Sequence, residues 1–162
     1  MIVVDTSALV TIASIDLLDT VLSEFDVHTT ETMVQELEET SEYEERHGEA
    51  AQTVLDQIHR IDVHETEGTN SQSSRIDEGE GTTIVLANNE KADFLITDDL
   101  RALPELQTVV RANVAISPLI LKALVKRGVL EEEGAVEKLD KAAANRDWLN
   151  APIYRRAKNL FE

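Results

Sequence analysis

Five acidic residues stand in positions that the polar face of a helix does not explain. Asp5 follows the apolar segment IVV, and Asp98 and Asp99 follow the apolar segment FLIT. Glu80 lies in the first turn of a predicted helix, and Glu36 lies beside the apolar residues of the segment MVQELEE. Three or four carboxylates in one pocket repel each other, and a divalent cation removes that repulsion. Because Mg²⁺ and Mn²⁺ prefer oxygen ligands, these residue types favour a metal site.

Each of these acids also has a simpler interpretation when it is taken alone. Asp5 has the position of an N-cap for the helix that follows it, and one of Asp98 and Asp99 could cap the next helix. Glu80 would be a favourable negative charge at a helix N-terminus, and Glu36 would be one more solvated glutamate. The joint pattern across four separate segments favours one shared site over four unrelated local roles.

Short apolar segments alternate with helical patterns along the chain, which predicts an α/β fold. Right-handed crossovers place the strand-to-helix turns together at the carboxyl edge of a mainly parallel sheet that carries helices on both faces. Asp5 and the acids after FLIT would meet at this edge, where open α/β sheets bind ligands. Residues 66–75 have no apolar side chain and are predicted to form a loop. The predicted strands are IVV, FDVHTT, IDVHE, DFLIT and VAI.

The composition excludes several classes of protein. The chain has 162 residues, which is enough for one domain with a hydrophobic core. It has no cysteine, which excludes a disulfide framework, a thiolate zinc site and a cysteine nucleophile. It has no signal-peptide pattern and no apolar run of the roughly 20 residues that a membrane span needs, so a cytoplasmic location is expected.

The net charge of −17 results from 32 acidic and 15 basic residues. Clear periodicity and a hydrophobic content of 42% argue against disorder. An acidic surface costs little in concentrated salt, which favours a halophilic source, although an acidic mesophilic protein has the same composition. Residues 1–98 carry 23 acids and 4 bases, whereas residues 99–162 carry 9 acids and 11 bases. An anionic partner would therefore meet the C-terminal third more favourably.

Four segments, in this order, resemble the PIN-domain family of small metal-dependent ribonucleases: IVVDTSALV, TTETMVQELEE, DEGEGTTIVLA and ADFLITDD. The family includes the toxins of many bacterial and archaeal toxin–antitoxin pairs. The resemblance covers residues 1–125 and implies a three-layer α/β/α sandwich with a short central sheet. Residues 126–162 are then expected to form a helical C-terminal extension packed on the same domain.

Each of the family's four acidic residues has a matching position in this sequence. The first three fall on Asp5, Glu36 and Glu80, and the Thr-x-Asp spacing selects Asp99 as the fourth. Asp5, Glu80 and Asp99 are expected to bind the metal directly, with Asp98 as an adjacent acid that could share this role. Glu36 is expected to position a second ion or a water. The supporting residues are expected to be Thr6, Ser7 and Thr97.

The implied activity is that of an endoribonuclease with one or two Mg²⁺ or Mn²⁺ ions. Such ions lower the pKa of a bound water and neutralise charge on the phosphate and on the leaving 3′-oxygen. The resemblance implies products that carry 5′-phosphates. Contacts to RNA are predicted in the basic C-terminal third, although salt bridges with neighbouring helices explain the same residues equally well. The candidates for RNA contacts are Arg101, Lys122, Lys126 and Arg127.

The resemblance also implies partner proteins, and two other functions are considered beside it. If the protein is a toxin, an antitoxin and a second copy of the chain are expected partners, and exposed apolar surface is expected on helices at residues 7–22 or 118–125. A non-catalytic PIN-like module for RNA or protein contact stays an alternative. A haloacid-dehalogenase-like phosphatase is disfavoured because Ser7 stands where its second aspartate would be. The histidines predicted to lie away from the acidic cluster are His28, His47, His59 and His64.

Overall fold

The computed structural model describes residues 1–43, 45–66, 77–148 and 151–161. Within these residues, a five-stranded sheet lies between two layers of helices. The predicted α/β/α sandwich is therefore confirmed. The strands are β1 (Ile2–Val4), β2 (Val27–Thr30), β3 (Asp62–His64), β4 (Phe94–Ile96) and β5 (Asn113–Ala115). The helices are α1 (Thr6–Ser14), α2 (Leu18–Glu24), α3 (Glu31–Tyr43), α4 (Glu45–Asp56), α5 (Glu78–Asn89), α6 (Leu103–Val109), α7 (Pro118–Lys126), α8 (Glu132–Asn145) and α9 (Pro152–Asn159).

The strand order is β3-β2-β1-β4-β5, and every neighbouring pair is parallel. The chain builds β2 and β3 on one side of β1 and then crosses to build β4 and β5 on the other side. The carboxyl ends of β1 and β4 therefore lie side by side where the topology changes direction. Crevices at such positions are the usual ligand sites of open α/β sheets. Asp5 follows β1 at this position, and the acids of the segment TDD follow β4.

Two hydrophobic clusters cover the two faces of the sheet. Ile2 and Val4 point into the larger cluster with the buried residues of α1, α7 and α8, whereas Val3 and Leu95 point into the smaller cluster with α5 and α6. This alternation is the period of two expected of a strand. Central parallel strands are buried on both faces, which explains why β1 reads as an unbroken apolar run.

The C-terminal helices share the larger cluster with the rest of the chain. Leu139 in α8 and Ala157 in α9 have no exposed surface and belong to the same cluster as Leu9 in α1. Lys138 Nζ donates to the carbonyl of Ile15 at 2.9 Å, which also attaches α8 to the end of α1. Helices α8 and α9 thus stabilise the sheet domain directly, and the C-terminus of α8 reaches the side of the molecule on which α1 begins.

Several local predictions differ from the structure. The pattern of the segment DLLDTVLSEF predicts a helix from Asp16, but the helix starts at Leu18, because Asp16 has a φ of 59° and ends the preceding segment in a turn. The pattern of the segment EAAQTVLDQIHR predicts a helix as far as Arg60, but α4 ends at Asp56 and is followed by a 3₁₀ turn, Ile58–Arg60. The predicted loop at 66–75 lies outside the described residues except for Thr66.

Exposed apolar surface is expected on helices at residues 7–22 or 118–125, and most of their large apolar side chains belong to the larger cluster. Leu119 and Ile120 also line an open apolar groove with Phe25 and Phe94. The expected partner at this surface stays a prediction. Both segments are described throughout, and their large apolar side chains are buried or partly buried. Within the described part of the chain, no single helix is long and apolar enough to cross a membrane. Only α1 and α2 together reach that length and apolar content, and they are bent by 117° relative to each other.

Candidate metal centre

A cleft of about 500 Å³ opens at the carboxyl edge of the sheet, where β1 and β4 end. Asp5, Glu36, Glu80 and Asp99, the four acids selected from the sequence, all line this cleft. They arrive from four different segments of the chain, so only the fold brings them together. The remaining lining residues are Thr6, Ser7, Val10, Met33, Glu39, Thr40, His47, Asp77 and Arg146.

Asp5 combines the two roles that the sequence left open, since it caps a helix and also lines the cleft. Its Oδ1 accepts hydrogen bonds from the Ala8 amide at 3.0 Å and from Ser7 Oγ at 2.7 Å, which makes it the N-cap of α1. Its Oδ2 accepts from the Thr97 hydroxyl at 2.5 Å. Only 4% of the residue is exposed. Burial raises the pKa of Asp5 to about 6, although the hydrogen bonds from Thr97, Ala8 and Ser7 oppose this increase.

Thr97 links the two acids at the ends of β1 and β4. Its hydroxyl donates to Asp5 and accepts a hydrogen bond from the Asp99 amide at 3.1 Å. Asp99 Oδ1 in turn accepts from the Arg101 amide at 2.9 Å, which orients the carboxylate at the start of the turn before α6. Thr97 is fully buried, and its hydrogen bonds hold the Asp5 carboxylate beside the backbone of Asp99.

Glu80 is held in place by the first turn of its own helix. Asp77 Oδ1 accepts from the Glu80 amide at 2.8 Å, and Glu80 Oε2 accepts from the Asp77 amide at 3.1 Å. These reciprocal bonds form a capping box. Burial, followed by the neighbouring Asp99 carboxylate within hydrogen-bonding reach, raises the pKa of Glu80 to about 8. Asp77 lines the cleft and was missed from the sequence, although its spacing from Glu80 is the signature of this cap.

Glu36 approaches the same turn from α3. Burial, followed by the negative charge of Asp77, raises its pKa to about 7. A Cβ atom on Gly79 would overlap the Glu36 carboxylate, so the glycine at this position allows the close approach of α3 and α5. Thr6, a predicted supporting residue, donates its hydroxyl to the Met33 carbonyl at 3.1 Å and lies within hydrogen-bonding reach of Glu36. It therefore ties the start of α1 to α3.

Asp98 points away from the cleft, unlike its neighbour Asp99. Its Oδ1 accepts from the Ser117 amide and its Oδ2 from Ser117 Oγ, both at 2.7 Å. Its own amide donates to Ser7 Oγ at 3.0 Å. Burial raises the pKa of Asp98, and the bonds from Ser117 counteract this. The side chain joins the end of β4 to the start of α7, and both carboxylate oxygens are occupied by this contact.

Asp98→Asn is expected to lower stability and to leave metal binding unchanged. The amide NH₂ of asparagine would face one of the two Ser117 donors, and the loss of a hydrogen bond to a buried charged group costs about 1–3 kcal/mol. We expect urea unfolding to show this loss, and calorimetry to show a Kd for Mn²⁺ within about twofold of wild type. Asp93→Asn, which removes an exposed contact with the N-terminus, serves as the control and should change stability much less. A loss of Mn²⁺ binding in folded Asp98→Asn would contradict the structural role.

The cations predicted to contact RNA do not line the cleft. α7 starts near the carboxyl edge and runs back along the sheet, so Lys126 and Arg127 at its end lie towards the opposite edge. Arg127 Nη1 donates to the Glu24 carbonyl at 2.7 Å, and its guanidinium lies 4.3 Å from the centroid of the Phe25 ring. Lys122 Nζ lies 5.5 Å from the centroid of the Phe161 ring. These contacts of Lys122 and Arg127 agree with the alternative of local pairing, whereas Arg101 lies two residues after Asp99.

Besides Asp77, two cleft residues with basic side chains, Arg146 and His47, were not anticipated from the sequence. Arg146, at the C-terminus of α8, lines the cleft and exerts a favourable charge effect on Asp98. His47, in α4, also lines the cleft, so the prediction that all four histidines lie away from the acids is wrong for this residue. No sequence motif marks either position. Both depend on how α4 and α8 pack against α1.

A comparison with protein families agrees with the α/β/α fold and its acidic cleft. No curated protein matches the chain. A family model described as a PIN domain, DUF3368, matches residues 1–162, which is the whole sequence. This confirms the resemblance that was based on four short segments, and it includes the C-terminal helices in the family's own length. The chain therefore belongs to the PIN-domain family.

Proposed function

We propose that the protein is a metal-dependent endoribonuclease whose active site is the acidic cleft. The observation that carries this proposal is the meeting of Asp5, Glu36, Glu80 and Asp99 in one cleft at the topological switch of the sheet. The pKa values of Asp5, Glu36 and Glu80 are raised to about 6, 7 and 8, so the folded chain holds carboxylates that resist ionisation. Membership of the PIN-domain family supports a nuclease-like function for such a cluster.

The donor set suits a hard divalent cation. All four acids offer oxygen ligands, and a cation beside them would offset the burial and the repulsion that raise the pKa values of Asp5, Glu36 and Glu80. We propose Asp5, Glu80 and Asp99 as the residues that hold Mg²⁺ or Mn²⁺. Asp98 is left out of this set because Ser117 occupies both of its carboxylate oxygens. The chemistry that such an ion supplies when bound is the activation of a water and the neutralisation of charge on the scissile phosphate.

Hydrogen bonds from Thr97 and Ser7 orient Asp5, and Glu36 is placed to accept a proton from the attacking water. Thr97 and Ser7 keep Asp5 in one rotamer by binding its two oxygens, which lowers the cost of ordering the site. Glu36 has a pKa of about 7 and is half-buried at the wall of the cleft. A carboxylate with a pKa near the working pH is suited to accept a proton from the attacking water. We therefore assign Glu36 to positioning this water.

Arg146 is the residue that we propose as the contact to the RNA backbone. Among the described residues, no hydrogen bond or ion pair engages its guanidinium, although six carboxylates line the same cleft. Asn145 Nδ2 donates to the Ser14 carbonyl at 3.1 Å, so the adjacent residue fixes the end of α8 against α1. A guanidinium held beside a proposed phosphate site can bind a phosphate with two parallel hydrogen bonds.

Arg146→Gln is expected to lower kcat/KM for RNA cleavage by about 10- to 100-fold, which is the loss expected when one charged hydrogen-bond donor to the phosphate is removed. Mn²⁺ affinity should stay within about twofold of wild type, because no proposed metal ligand is changed. Arg155→Gln removes the same charge from an exposed position on α9 and serves as the matched control, with cleavage expected near the wild-type rate. Equal losses in both variants would mean that Arg146 acts only through general charge.

The function itself is tested by incubating the full chain with a mixed RNA substrate in concentrated KCl. We expect cleavage with Mg²⁺ or Mn²⁺, none with EDTA, and 5′-phosphate ends on the products. Absence of cleavage together with absence of Mn²⁺ binding would reject the nuclease and favour the non-catalytic PIN-like module. Absence of cleavage with Mn²⁺ still bound would point to a restricted substrate, and a panel of structured RNAs would then be tested under the same conditions.

A further inference from the structure

We infer that the protein has a second metal site, separate from the cleft, which binds a divalent transition-metal ion such as Zn²⁺ between β2 and the edge strand β3. The three ligands are Asp26, His28 and Asp62. One potential ligand atom from each of them lies within 4.8 Å of the others. Val3 pairs with His28 and contributes to the cluster beneath α5 and α6, so the three side chains lie on that face of the sheet.

The distances within this group fit ligands that share an ion. His28 Nε2 lies 2.9 Å from Asp26 Oδ1 and 3.3 Å from Asp62 Oδ2. Two ligands bound to Zn²⁺ at about 2.0 Å each in tetrahedral geometry are separated by about 3.3 Å. The ring of His28 is mostly buried, with 12% of its side chain exposed, whereas Asp26 and Asp62 are open to solvent. An ion can therefore reach the group without any opening of the fold.

His64 supplies the partner that a metal-bound histidine needs on its other nitrogen. His28 Nδ1 lies 2.8 Å from His64 Nε2, so a proton on Nδ1 of His28 can be donated to His64. In this tautomer the lone pair of Nε2 faces two carboxylates, and that arrangement is stable only if a cation or a second proton lies between them. A ligating histidine that donates its second N–H to a neighbour is the usual arrangement at metal sites.

The ligand set selects the class of ion. One imidazole nitrogen with two carboxylates favours Zn²⁺ and similar transition metals over Mg²⁺, which prefers oxygen ligands alone and keeps several waters. An ion held here would join β2 to β3 through their side chains. Because β3 has three residues and, within the described part of the chain, pairs with β2 alone, this link would stabilise the edge of the sheet.

The test uses the metal-free full chain, titrated with Zn²⁺ by calorimetry in the presence of excess Mg²⁺ to occupy the cleft. We expect one Zn²⁺ per chain and a rise in Tm of about 5–10 °C at a 100-fold excess over Kd. Asp62→Asn should weaken Zn²⁺ binding by about tenfold or more, because it removes one ligand with little change in shape. Circular dichroism of this exposed-site variant checks that the fold is kept.

Two control variants distinguish this site from others. Asp56→Asn removes an equivalent exposed charge from α4, and Asp5→Asn changes the cleft; both should keep wild-type Zn²⁺ affinity. The inference is overturned if wild type shows no saturable Zn²⁺ binding, which would mean that a proton alone lies between His28 and the two aspartates. It is equally overturned if Asp62→Asn binds as tightly as wild type, or if Asp5→Asn abolishes the binding.

Discussion

Asp5→Asn is expected to lower metal-dependent RNA cleavage by about 10³-fold while the protein stays folded. Asparagine has nearly the shape of aspartate and is an equally good N-cap, so the hydrogen bond from the Ala8 amide is kept. The variant loses the negative charge of the Asp5 carboxylate. This carboxylate lies between Thr97 and the cleft, and we propose it as a metal ligand. Charge stabilisation by a metal ion contributes several kcal/mol to such a reaction, and about 4 kcal/mol corresponds to 10³-fold in rate.

The measurement compares initial rates of wild type and Asp5→Asn over a range of Mn²⁺ concentrations, with thermal unfolding as the check on the fold. Stability without metal should change little, because the weakened hydrogen bond from Thr97 is offset by removal of a charge that burial disfavours. Asp56→Asn, an exposed aspartate on α4, is the control for loss of one negative charge. Full activity in Asp5→Asn at every Mn²⁺ concentration would reject the metal-site assignment.

Stability is expected to fall with rising pH in the absence of metal, and Mn²⁺ is expected to reverse this trend. Asp5, Glu36 and Glu80 have pKa values of about 6, 7 and 8 in the folded chain, against ordinary values of 3.8 and 4.5. Between about pH 4 and pH 8 the folded state thus holds more protons than the unfolded state. The free energy of unfolding must decrease as pH increases through this window. The stabilising contribution of these three groups is fully present below about pH 4 and is lost above about pH 8.

Mn²⁺ competes with these protons, so its stabilising effect should be greatest at high pH. At pH 8 and a 100-fold excess over Kd, we expect Mn²⁺ to raise Tm by about 5–10 °C relative to EDTA, with a much smaller rise at pH 5. Thermal unfolding at constant KCl concentration measures both series. The lowered pKa values of Asp16, Asp93 and Asp140 act in the opposite direction, but only below about pH 4.

Glu80→Gln provides the matched variant for this experiment. The amide oxygen of glutamine can still accept from the Asp77 amide, so the capping box is largely kept. Without metal, the variant should be at least as stable as wild type at pH 8 because a disfavoured charge is gone. With Mn²⁺, it should gain less in Tm than wild type. An equal Mn²⁺ effect in both proteins, or an effect independent of pH, would show that the ion binds elsewhere.

The elements and the main acids of the site follow from the sequence because their signals are local. A short apolar run that ends in an acid marks a buried strand and its carboxyl end, and parallel topology then places Asp5 and the acids after β4 at one edge. Capping is equally local: the hydroxyl of Thr30, directly before α3, accepts from the Met33 amide at 3.2 Å. Such patterns act over a few residues and do not depend on distant contacts.

The choice between Asp98 and Asp99 depended on the tertiary structure. The two residues are adjacent, and family spacing alone selected Asp99 with Asp98 as a second possibility. The start of α7 supplies two donors from Ser117 that bind Asp98 and turn it away from the cleft, 19 residues further along the chain. No pattern near the TDD segment contains that information.

The wall of the cleft likewise depended on packing between distant helices. Arg146 enters the cleft because α8 packs on α1, and His47 enters it because α4 packs on α1. The group of Asp26, His28 and Asp62 forms only when β2 and β3 pair in register. The sequence by itself determined the class of fold and the acids at its strand ends, since these arise from local hydrophobic and capping patterns. Only the tertiary structure decided which side chains face each other, because contacts across the chain are selected by the packing of whole helices and strands.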